Sequence, residues 1–230
     1  MFYKLSNTAS KERIEREFNA KFKYPNLYES NPLINGFKEE SIYIITDEMP
    51  HQIVPGIWGL LPKDFEDDWI IFQNVNNTLN FDEDMLQNDN TLNNQFCSKR
   101  CLIIITGFFT SYIKNGTIYP YYVYTKLNNP ISVAGLYNKL NDGFKTCTIL
   151  VSEANNFIRN IHNINVKMPL IIPKEARENW LKNESNMDIE SFAKASNEID
   201  LHAHPIAKEF FKNDIVFESM LEPVNYKDLP

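Results

Sequence analysis

The side chains in this chain that could do chemistry are few and scattered, and most have an ordinary structural reading. His162 stands at the exit of a short amphipathic segment, Ala154 to Ile161, where a histidine can cap the helix end and be held by hydrogen bonds. His202-Ala203-His204 would put two imidazoles on one face of a strand, the beginning of a metal site. No cysteine or third histidine lies near enough to complete it, so no metal and no cofactor are expected. Cys101 and Cys147 sit inside apolar runs and read as core, whereas Cys97 lies close to the basic pair Lys99-Arg100, which would lower a thiol's pKa. That pair reads first as solvated surface and second as a phosphate contact. Asn80 falls in a stretch rich in Asn, where forming a turn is its usual role. Trp58, Trp69, Tyr121 and Tyr122 can stack unpaired bases or pack in the core.

Composition narrows the functions open to the chain. Its 230 residues are 43% hydrophobic and 13% aromatic, enough for a substantial core. The formal charge of −7 counts against nucleic acid as a partner of the surface at large and leaves only a local basic patch. No apolar stretch approaches the ~20 residues of a membrane helix, and Lys11-Glu12-Arg13 through Glu17 interrupts any leader-like run. Three cysteines without paired or zinc-like spacing fit reduced thiols, so a cytoplasmic location and no membrane partner are expected.

The elements that must position these residues are legible from periodicity and turn chemistry. Ser10 caps a helix whose apolar positions Ile14, Phe18 and Phe22 are spaced four apart, ending before Pro25. Ser41 to Thr46 and Ile57 to Leu61 read as strands, the second entered through Pro55-Gly56. Residues 73–95 read as an extended loop over the sheet. Cys101 to Thr106 reads as a central strand. Asn115-Gly116 is a hairpin turn joining Phe108–Ile113 to Ile118–Tyr124. Ile131 to Leu136 and Thr146 to Val151 follow, joined through the turn Asn141-Asp142-Gly143. Ala154, Phe157, Ile158 and Ile161 mark one helix face, Ala176, Trp180 and Leu181 a second after Pro173, and Ile189, Phe192 and Ala193 a third. Strands in runs with helices at the end predict one α+β domain over residues 1–225 with a short tail, 226–230.

An ordered set of short segments carries a family resemblance. It comprises Asn35-Gly36-Phe37, Trp58-Gly59-Leu60-Leu61-Pro62, Thr78-Leu79-Asn80, Arg100-Cys101-Leu102 and Gly107-Phe108-Phe109, then Pro120-Tyr121-Tyr122, Ala134-Gly135-Leu136-Tyr137, Ile161-His162-Asn163 and His204-Pro205-Ile206. In this order they resemble the SOS response-associated peptidase family, proteins that shield abasic sites in single-stranded DNA. The resemblance implies a mixed or antiparallel barrel-like β core flanked by helices. It also implies a covalent mechanism: an N-terminal cysteine condenses with the open aldehyde of an abasic sugar, the amine giving an imine that the sulfur closes to a ring.

Measured against that mechanism, the chain departs at several positions. Phe2 stands where the family has its cysteine, so no sulfur is available there, and a residue this large is expected to leave Met1 in place. Thr110 replaces the acid/base glutamate. Asp82 replaces a phosphate-binding arginine, and Asp84 a glutamate. Asn80 and His162 stand unchanged at active-site positions, His162 as a proton shuttle. The resemblance thus implies a catalytic set of His162 and Asn80 with Phe2 and Thr110 substituted. DNA contacts are expected at Asn80, Asp82, Trp58, Lys99 and Arg100. Three readings remain: a weak noncovalent binder of single-stranded or abasic DNA, a scaffold or regulatory module with a protein partner, and an enzyme using a substitute nucleophile such as Ser111 or Cys97.

Overall fold

The computed structural model describes residues 2–85, 99–182, 189–211 and 219–229. The first half supplies β1 (Lys4–Asn7), α1 (Lys11–Phe18), β2 (Lys21–Phe22), β3 (Asn31–Asn35), β4 (Ser41–Thr46), β5 (Met49–Trp58), α2 (Trp69–Asn76), β6 (Asn80–Asp82) and β7 (Lys99–Ile105). The second half supplies β8 (Gly107–Lys114), β9 (Thr117–Thr125), β10 (Ile131–Lys139), β11 (Lys145–Glu153), α3 (Asn156–Ile161), β12 (Lys167–Pro169), β13 (Ile171–Ile172), α4 (Arg177–Lys182), α5 (Ile189–Asn197) and β14 (Leu201–Pro205).

A ring of strands forms the α+β core. Antiparallel pairing runs β11-β10-β7-β4-β5, and a short parallel contact, Thr146 with Ile57 and Cys147 with Trp58, returns β5 to β11. Where the ring closes, a Cβ on Gly56 would stand 3.1 Å from Ile44 and 3.2 Å from the Cys147 sulfur, so Pro55-Gly56 lies inside β5 as a packing point and does not open the strand. A second sheet, ordered β14-β9-β8-β1-β3, places the N-terminal strand β1 between β3 and β8. Alternation along β7 divides the apolar residues. Cys101, Ile103 and Ile105 face the core that holds Phe2 and Trp58, while Leu102 and Ile104 face the layer of α4 and α5.

Local signals set several elements as expected. The Ser10 hydroxyl accepts from the Arg13 N–H, and Asn115 (φ 50°) and Gly116 (φ 73°) make the tight β8–β9 turn. Others differ. Helix α1 stops at Asn19 in the left-handed region, and Phe22 is buried from the short strand β2 instead. The stretch expected to be loop, whose residues 86–95 lie outside the described ones, begins with the last turn of α2, capped by Asp68, and continues into β6. Gln73 explains the error: its side chain is buried and bonded to Thr78, so a polar residue was an anchor and not a loop marker. Phe157, expected inward, is 38% exposed on α3. No helix among the described residues is long and apolar enough to cross a membrane.

Candidate functional site

The structure brings Phe2, Thr110 and His162 to one cavity of about 310 Å³, with Asn80 behind Phe2. Strand β6 delivers Asn80 by pairing in parallel with β11, Asn80 opposite Ile149. Its side-chain amide grips residue 2 from both sides: the Phe2 N–H donates to Asn80 Oδ1 at 3.2 Å, and Asn80 Nδ2 donates to the Phe2 carbonyl at 2.8 Å. All four groups are buried, so each bond satisfies atoms that water cannot reach. Phe2 is 1% exposed; its ring meets Phe108 edge-on at 5.3 Å and lies 5.7 Å from the His162 ring.

His162 leaves α3 in extended conformation, 5% exposed. The Ser111 carbonyl, 3.0 Å from Nδ1, can only accept, so Nδ1 carries the hydrogen and Nε2 keeps its lone pair in the neutral ring. Burial holds its pKa below the usual histidine value, against the Ser111 carbonyl and the Asn165 side chain, which favour protonation. Nε2 and the Thr110 hydroxyl are both buried without a hydrogen bond of good geometry. The site therefore offers a neutral imidazole acceptor and a hydroxyl but no carboxylate at Thr110. The His162 contact uses Ser111's carbonyl and not its hydroxyl. Cys97 lies outside the described residues.

Electrostatics around β6 correct one expectation. Asp82 is not a lone negative charge: Lys167 Nζ lies 2.7 Å from it and 3.4 Å from Glu153, which also pairs with Arg159 at 2.8 Å. Two acids and two bases cancel. Lys167 comes from β12 on the opposite edge of β11, a meeting that no local sequence pattern announces. Beside them, burial and the neighbouring Asp84 and Asp82 raise Glu83 to about 7. Lys4, whose ammonium sits 4.6 Å from the Phe210 ring centre, is a cation at the cavity that sequence reasoning missed.

The remaining candidates lie elsewhere. Trp58 is fully buried and its indole N–H donates to the Leu79 carbonyl. Lys99 pairs with Glu48 at 2.6 Å. Arg100 points to the α4 side of β7, buried with its guanidinium 4.6 Å from the centre of the Trp180 ring. Trp69, Tyr121 and Tyr122 are also buried. His204 is held between the Tyr124 hydroxyl and the Leu221 carbonyl, and among the described residues no three His, Cys, Asp or Glu converge as a metal group would.

Fold and cleft together define a class. The SOS response associated peptidase (SRAP) pattern matches residues 1–213, and the chain belongs to that family. Its similarity extends to the abasic site processing protein YoaM of Bacillus subtilis (strain 168), 26% identical over 171 residues, 71% of this chain and 72% of that protein. Among solved structures, a protein from Bacteroides thetaiotaomicron shares the fold at TM-score 0.80 and 21% identity, covering 97% of this chain and all of the other. A protein from Bordetella bronchiseptica does so at TM-score 0.67 and 17% identity, over 89% of this chain and 99% of its own.

Proposed function

We propose that this chain is a DNA-damage protein that recognises single-stranded DNA at abasic sites without forming the covalent crosslink. The observation that carries this is the burial of the Phe2 ring between Phe108 and His162, while Asn80 and His162 are both kept around it. A ring-closing reaction with an aldehyde needs a sulfur nucleophile at residue 2 and a group to move protons. Phenylalanine supplies no sulfur, and Thr110 supplies no carboxylate to work beside His162. His162 Nε2 and the Thr110 hydroxyl remain able to hydrogen-bond a sugar hydroxyl, and the abasic-site processing of its relative supports that substrate class.

Incubating the protein with single-stranded DNA bearing one abasic site, then heating in denaturant, tests the chemical half of this reading. No adduct is expected, and Phe2→Cys alone restores little, because Thr110 still lacks the acid/base group. A heat-stable adduct formed by the unaltered chain would overturn the proposal and point to a substitute nucleophile. A scaffold reading is favoured by one observation, the charge-neutral network at Asp82 where the family has a phosphate-binding arginine. Absence of any salt-dependent binding to the abasic strand would decide for it.

A further inference from the structure

A second surface, on the hairpin between β10 and β11, combines bare positive charge with exposed aromatic rings. Lys139 and Lys145 face each other directly across the antiparallel pair, an arrangement of like charges that destabilises a sheet when nothing lies between them. Lys23 adds a third cation, 5.5 Å from the centre of the Tyr24 ring. None of the three makes an ion pair among the described residues. Burial, then Lys139, pushes the Lys145 pKa down, with Glu48 acting against them and Lys23 with them. One carboxylate, Asp142, lines the same groove and accepts the Phe144 N–H at 3.0 Å, and Glu48 is paired with Lys99. Phe144 is 65% exposed on a backbone that is fixed, since its carbonyl accepts from Leu140 and the turn is closed by Gly143 donating to Leu140. Tyr24 is 47% exposed and stands with Phe144 and Leu27 around a groove of about 390 Å³.

We infer that this groove and the strand edge beside it are a second contact surface for single-stranded nucleic acid, with Lys23 and Lys145 in the groove and Lys139 next to Lys145 on phosphates, and Tyr24 and Phe144 stacking bases. Charge decides the occupant. In a chain of net charge −7 this surface gathers three lysines around a groove whose lining holds one carboxylate, and exposed rings beside them suit bases of any sequence. The surface lies away from the cleft: Lys145 opens β11, and Asn80 pairs four residues further along, about 13 Å by strand rise. The inference rests on the proposed reading in taking DNA as the partner.

Fluorescence anisotropy of the full chain with a labelled thymidylate dodecamer, titrated with salt, tests it. Lys23→Glu with Lys139→Glu should weaken binding tenfold or more at low salt and lower the salt slope by about 1.4, two phosphate contacts at ~0.7 each. Phe144→Ser should weaken it about fivefold or more with the slope unchanged, the equivalent of ~1 kcal/mol of stacking. Lys194→Glu with Lys227→Glu, the same charge change at exposed sites elsewhere, should do much less. If the groove variants bind like the parent, the inference falls and the cleft reading stands. If the groove variants lose binding while Asp82→Arg at the cleft changes nothing, the inference stands and the cleft reading falls. No binding of the dodecamer at low salt overturns the inference. So does competition by a polyglutamate peptide as strong, per charge, as that of unlabelled dodecamer, which would make the surface one for acidic protein.

Discussion

Replacing Phe2 by alanine tests whether residue 2 is held as the cleft requires. The ring is 1% exposed, packed on Phe108 and part of the largest core cluster. Emptying such a site ordinarily costs ~3–5 kcal/mol, the lost transfer energy plus the void left behind. Here the void adjoins an existing cavity of about 310 Å³, so the surroundings can relax and water can enter, which puts the expected loss near the lower figure, about 3 kcal/mol. For a chain of this length that corresponds to a fall of about 6–12 °C in Tm. Urea unfolding followed by tryptophan fluorescence, with the slope against denaturant unchanged, would read it. Phe2→Leu should fall between parent and alanine. A loss below about 1 kcal/mol for Phe2→Ala would mean that residue 2 is not anchored in the core. The assignment of the cleft around it would then be refuted.

Other substitutions probe the same site by different physics. Asn80→Ala strips partners from a buried N–H and a buried carbonyl of Phe2 and should cost about 2 kcal/mol or more in the same urea assay, more than its lost side-chain area accounts for. His162 is held neutral by burial, its folded pKa lying below the unfolded one; its contribution is complete above the unfolded value of 6.5 and is lost as pH falls through the folded value. Unfolding midpoints measured from pH 8 down to 5 should therefore fall less steeply for His162→Gln than for the parent. Glu83 has the opposite sign, because its pKa rises from 4.5 to about 7 on folding: Glu83→Gln should stabilise the protein at pH 8 and do little at pH 4.5. Asp82→Arg changes the network charge by +2 and should strengthen binding to single-stranded DNA and steepen its salt dependence; an unchanged anisotropy titration would remove the β6 end from the DNA path.

How much of this was readable in the sequence follows from how far each signal reaches along the chain. Ser10, Asn115-Gly116 and the apolar run of β7 specify structure through neighbours a few residues away, and the helix start, the turn and the strand they mark stand where expected. The parallel contact that closes the ring between Ile57 and Thr146, and the pairing of Asn80 with Ile149, join strands far apart in sequence by two or three residues each. Such joins leave no periodic trace. The candidate basic pair shows the same limit. Adjacent in sequence, Lys99 and Arg100 are separated by the alternation of β7, which sends one to Glu48 and the other beneath Trp180. Around the cleft, His162, Asn80 and Thr110 were identifiable only as members of an ordered set of motifs. Lys167 could not be found that way, because its meeting with Asp82 exists only across β11.

The grip of Asn80 on residue 2 engages the N–H and the carbonyl and nothing of the side chain. A holder of that kind is indifferent to what it holds. Whatever amino acid follows Met1, its Cα is fixed at the same point and its Cβ sets out toward Phe108 and His162. Reactivity at residue 2 is then separable from placement: a single codon can exchange a nucleophile for a hydrocarbon plug, or reverse the exchange, while the strand, the clamp and the histidine stay where they are. This cradle therefore makes the position of residue 2 independent of the chemistry its side chain brings.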